Sequence, residues 1–120
     1  NGEPGIYSAR LAGLKASDEE NVAELLRRMD KLKDIERRAF FVCVMTLVRH
    51  EFDPLPIITH GKWEGLIIDS PMGEEGFGYD SIFFDQYTGK TAGQMDKEEK
   101  FSLSHRGNAL KLMLERLKNF

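Results

Sequence analysis

AFFVCVMTLV, residues 39–48, is the stretch that most narrows the folds open to this chain. It is rich in β-branched and aromatic side chains and shows no polar alternation, the pattern of a strand buried on both faces of a sheet. Such a strand needs neighbouring strands beside it and cover above and below. Asp53-Pro54 and Pro56 end it. IITH (57–60) and WEGLIID (63–69) read as two further strands joined across Gly61-Lys62, a hairpin-sized gap, and SIFFD (81–85) reads as another short strand.

Helices stand on either side of this β-rich middle. Ser17 can cap a helix, and Glu20 completes a capping box three residues on. Val22, Leu25, Leu26 and Met29 fall on one face, which predicts an amphipathic helix from 18 to about 31. Asp96 caps a helical turn over DKEEK with Glu99 in the capping-box position. A last helix is predicted from about Ser104 to Lys118, with Leu110, Leu114 and Leu117 on its apolar face. NGEPGIYSAR begins with turn residues and leads into a strand-like segment, and LKDIERR is a charged connection. The order of helix, several strands and helix suggests α+β with a mostly antiparallel or mixed sheet, and 120 residues fit one domain.

Charge and cysteine content narrow the function classes. Lys plus Arg number 17 against 20 Asp plus Glu, a net −3, which argues against holding long nucleic acid by charge. A small anionic ligand remains open, since it needs only a local cationic pocket. Cys43 is the only cysteine and lies in the apolar run, so no internal disulfide is possible. A buried inert thiol in a reducing, cytoplasmic setting fits. No apolar run approaches the ~20 residues of a membrane span, so no membrane partner is expected.

GKT (89–91) invites a phosphate-loop reading, but the position five residues before Gly89 is Phe84 where that motif needs glycine. His50, His60 and His105 show no metal-type spacing with Cys43 or each other, which excludes a zinc motif. EGFGYDSIFF (75–84) has two readings. Phe77 and Tyr79 are core at a tight turn into a buried strand, or Phe77 is a stacking surface for a flat ligand whose edge Asp80 reads. EEKFSLSHRG (98–107) places Lys100, His105 and Arg106 near a predicted helix start, a competent place for an anion or a carbonyl-rich ligand; the plainer reading is solvated surface charge. Together the two segments offer a ring, an acceptor and donors, a set that suits a planar heterocycle such as a purine.

The ordered set PGIYSAR, HGKWEGLI, GEEGFGYDSIFF, GKTAGQM and EEKFSLSHRGNALKLM closely resembles the non-standard purine nucleoside triphosphate pyrophosphatases, over nearly the whole chain from Gly2 onward. The resemblance implies an α/β fold, an elongated mixed sheet flanked by helices with two lobes around a nucleotide cleft. It implies a homodimer that uses Mg²⁺ to hydrolyse inosine, deoxyinosine and xanthosine triphosphates to the monophosphate and pyrophosphate. It carries substrate-binding roles onto Phe77, Gly78, Tyr79, Asp80, Lys100, His105 and Arg106. One small departure is Ser81, where the family commonly has proline.

The larger departure concerns elements the family carries before PGIYSAR: a phosphate loop, metal carboxylates and a general base. On that comparison the expectation is a C-terminal portion of the pyrophosphatase domain, its N-terminal part missing. Such a chain would supply base recognition but no catalytic residue or metal ligand, and alone would be inactive. Arg106 can only donate, so it suits a 6-keto purine and opposes adenine's amine; Asp80 is the candidate for the N1 side, and Lys100 for orienting Asp80 or meeting a 2-keto group. Two alternatives stand beside this: a non-catalytic nucleotide-binding module, and a structural fragment in which the glycine turn is only core.

Overall fold

Ser17 Oγ accepts the Glu20 N–H at 3.1 Å and Glu20 Oε1 accepts the Ser17 N–H at 2.9 Å, the reciprocal pair that the spacing requires. These bonds start helix α1 (Asp18–Met29) in the computed structural model, which describes residues 1–32 and 34–119. Val22 and Met29 on its apolar stripe are buried. The helix ends slightly before the predicted boundary, as fraying termini commonly do.

The described residues hold one four-stranded sheet in the order β1 (Arg38–Leu47), β2 (Ile57–Ile67), β3 (Phe83–Asp85) and β4 (Lys90–Thr91). The β2–β3 and β3–β4 pairs are antiparallel. Helices α2 (Lys97–Leu103) and α3 (His105–Lys118) follow, so the architecture mixes α and β as expected. Chain contacts divide it into two compact units: Asn1–Ala39 with Gly65–Met95, and Phe40–Glu64 with Asp96–Phe120.

In the first unit, Leu66 pairs with Phe84 and Ile67 with Phe83, and Ile82, Phe83, Ala92 and Met95 are essentially sealed from solvent. Arg37 is buried and ties distant backbone together. Its guanidinium donates to the carbonyls of Met29 (2.8 Å), Ile67 (2.7 Å) and Ile68 (3.2 Å), and it lies 3.2 Å from Asp69. A buried arginine stays only where such acceptors replace its water. The segment expected to be strand-like before α1 is instead a 3-10 helix, Gly5–Arg10. Pro4 sits in the right-handed helical region, and its carbonyl accepts the Tyr7 N–H at 3.0 Å, so a tight turn forms before any strand can extend.

In the second unit, two expectations are corrected. The apolar run of β1 is not buried on both faces: Phe40, Val42 and Val44 are each more than half exposed, while Phe41, Cys43 and Met45 alternate with them on a half-covered face. Strand geometry sends successive side chains to opposite faces whatever their polarity, and only packing decides which face is covered. The expected hairpin at Gly61-Lys62 is absent, and β2 runs straight through it. Gly61 serves closeness instead of a turn: a Cβ there would collide with the His105 carbonyl and come within 2.5 Å of the Ala109 N. Thr59 Oγ1 donates to the Ala109 carbonyl at 2.9 Å, and Asn108 Nδ2 donates to the Lys62 carbonyl at 3.1 Å, which fixes α3 along the strand.

Candidate functional site

The glycine turn is built from its own side chains. Gly76 and Gly78 have φ of +78° and +58°, the left-handed region that other residues enter at a cost. A Cβ on Gly76 would also collide with Asp80 Oδ2. That oxygen accepts the Phe77 N–H at 3.0 Å, and Asp80 is buried at the start of the 3-10 turn Asp80–Ile82. The ring of Phe77 is 62% exposed, so in this chain it is not core.

Two residues from far earlier in the chain hold the same turn. Asp18 Oδ2, in the first turn of α1, accepts the Gly78 N–H at 2.8 Å. Tyr79 Oη donates to the Ser8 carbonyl at 2.5 Å. Burial raises the Tyr79 phenol above its ordinary value, the negative charge of Asp18 adds to this, and Arg28 opposes it. The phenol therefore stays a donor at neutral pH. Phe77, Gly78, Tyr79 and Asp80 thus form one pinned surface turn carrying an outward aromatic ring.

Lys100, His105 and Arg106 belong to the second unit. Lys100 is half-buried in α2, and its carbonyl accepts the Ser104 N–H at 2.8 Å where α2 gives way to α3. Ser104 caps α3, its Oγ accepting the Gly107 N–H at 3.1 Å, and His105 and Arg106 are the first two residues of that helix. Arg106 is exposed. The His105 ring stacks on Phe41 with centroids 4.8 Å apart and lies 6.5 Å from Trp63, so its ring faces belong to an aromatic cluster.

Asp18, Ser8 and Arg37 were not singled out by the sequence. Asp18 looks like an ordinary acidic residue in a first helical turn, and nothing local signals a partner 60 residues away. An open cleft of about 550 Å³ beside Arg37 and Asp69 contains none of the expected site residues, and the Arg37 donors there are already engaged. Among the described residues no group of three or more His, Cys, Asp or Glu stands together as metal ligands would.

A family model described as the Ham1 family matches residues 1–116. A dITP/XTP pyrophosphatase from Yersinia pestis is 51% identical over 118 residues, covering 98% of this chain and 60% of the relative. The dITP/XTP pyrophosphatase of Escherichia coli (strain K12) is 50% identical with the same coverage. Among solved structures, a HAM1 protein from Coxiella burnetii superposes with a TM-score of 0.91 at 42% identity, over 98% of this chain and 60% of that one. The Staphylococcus aureus Ham1 protein gives 0.91 at 44% identity, over 99% and 60%. The chain spans 60% of the length of the curated relatives it matches.

Proposed function

The chain belongs to the Ham1 family, and from that premise we propose that it supplies the base-recognition part of a hydrolase acting on non-standard purine nucleoside triphosphates. The reaction is cleavage of inosine, deoxyinosine and xanthosine triphosphates to the monophosphate and pyrophosphate. The observation that carries this is identity of about half the residues across 98% of the chain with relatives named dITP/XTP pyrophosphatases. The pinned turn adds a physical reason: an exposed ring on a fixed backbone is what stacking on a flat base requires.

Each residue has a distinct task in this reading. Phe77 stacks on the base and discriminates little, because every purine offers a π face. Arg106 supplies discrimination: a guanidinium donates to a 6-keto oxygen and has no acceptor for adenine's amine. Where the bound base shuts water away from the guanidinium, a donor left without its partner costs about 1–3 kcal/mol, so the wrong base is disfavoured even where it fits. Gly78 lets the backbone approach, Tyr79 and Asp80 fix the turn, and Asp80 is also the candidate for the N1 side. Lys100 and His105 stand at the α2–α3 junction, and Lys100 is the candidate for a 2-keto group. The homodimer implied by the resemblance belongs to this proposal as well.

The test measures base binding and chemistry separately on the 120-residue protein. Inosine monophosphate should bind in preference to AMP, at about millimolar strength without phosphate contacts. Pyrophosphate release from inosine triphosphate with Mg²⁺ is followed in parallel, so that binding and turnover are read separately. Equal binding of the two monophosphates would remove the base-recognition role. Turnover at an ordinary enzyme rate would place the general base among the carboxylates of this chain.

A further inference from the structure

Three hydrogen bonds hold three consecutive residues of the glycine turn, and they differ in reach. Phe77 N–H to Asp80 is local to the turn, whereas Gly78 N–H to Asp18 spans 60 residues and Tyr79 Oη to Ser8 spans 71. Asp18 is itself well anchored. It is the first residue of a helix closed by the Ser17–Glu20 capping box. Three residues on, Asn21 is buried, its Oδ1 accepting the Ala12 N–H at 2.9 Å and its Nδ2 donating to the Ala9 carbonyl at 3.0 Å. A carboxylate near a helix N-terminus also lies in a favourable field, which suits an acceptor placed at the first residue of α1.

From this geometry we propose that Asp18 is a positioning residue for base recognition, acting through the Gly78 N–H to set the angle at which the Phe77 ring is presented. This rests on the base-recognition reading above and names a residue that sets its geometry. Gly78 is the weak point of the turn: its φ is +58°, and nothing lies within 4 Å of where its side chain would be. Its peptide is held from both ends, the Phe77 carbonyl accepting the Asp80 N–H at 3.1 Å and the Gly78 N–H donating to Asp18. Of these two bonds only the second comes from outside the turn. The Asp80 and Ser8 bonds flank that peptide and keep the turn folded when Asp18 is changed. Loss of Asp18 should therefore free the ring without unfolding the protein.

The experiment compares Asp18→Ala and Asp18→Asn with the unsubstituted 120-residue protein by amide NMR, titrating inosine monophosphate. Asp18→Ala should speed hydrogen exchange at the Gly78 N–H by about tenfold and weaken inosine monophosphate about fivefold, with the thermal midpoint nearly unchanged. Asp18→Asn keeps an oxygen acceptor and should restore both. Unchanged Gly78 exchange in the alanine variant, or unchanged binding despite faster exchange, would overturn the proposal. So would an asparagine variant as impaired as alanine. If the unsubstituted protein shows no preference for inosine monophosphate, the base-recognition reading fails. The Gly78 exchange rates then still decide whether Asp18 holds the turn.

Discussion

Asp80 Oδ2 and the backbone N–H of Phe77 lie 3.0 Å apart, and this bond shapes the turn that carries the exposed ring. Asp80→Ala leaves that donor without its partner and opens a gap where Gly76 now packs against the carboxylate. A loss of about 1–3 kcal/mol in unfolding free energy is expected, and Asp80→Asn should recover most of it by keeping an acceptor. Urea midpoints for the two variants decide the matter; equal losses would mean that charge, not the acceptor, holds the turn.

Tyr79→Phe removes the bond to the Ser8 carbonyl and should cost about 1 kcal/mol near neutral pH. The folded-state phenol is raised above its unfolded value, first by burial and then by Asp18. Its contribution is therefore fully present below about pH 10 and is lost as pH rises through the higher folded value. The stability gap between the parent and Tyr79→Phe should shrink above about pH 10. A gap that widened on the alkaline side would contradict this sign.

Phe77→Ala tests stacking against packing. The ring is 62% exposed, so its removal should change stability by no more than about 0.5 kcal/mol. Binding of all purine nucleotides should weaken about equally, by ~1–3 kcal/mol, and Phe77→Trp should be tolerated. An alanine variant that unfolds, yet binds normally at low temperature, would return the ring to a structural role.

Arg106→Ala should narrow the preference for inosine over adenine nucleotides by about 1–3 kcal/mol. Arg106 is exposed, so its loss should leave folding almost untouched. Competition between inosine and adenosine monophosphates measures the ratio directly. An unchanged ratio would transfer discrimination to another residue.

What the sequence settled by itself is local. Ser17 with Glu20, Asp96 with the Glu99 N–H, and Ser104 with the Gly107 N–H all form within one helical turn, so residue type and spacing suffice to place each helix start. The ordered motifs likewise carried the family, because they are read along the chain. Packing decided the rest. Whether Val42 and Val44 were covered, and whether Gly61 turned the chain or let α3 approach, depended on elements distant in sequence. Asp18 shows the limit best. Its type and position announce only a helix start, and its bond to Gly78 exists because folding brings residues 60 apart to 2.8 Å, a distance that no local spacing encodes.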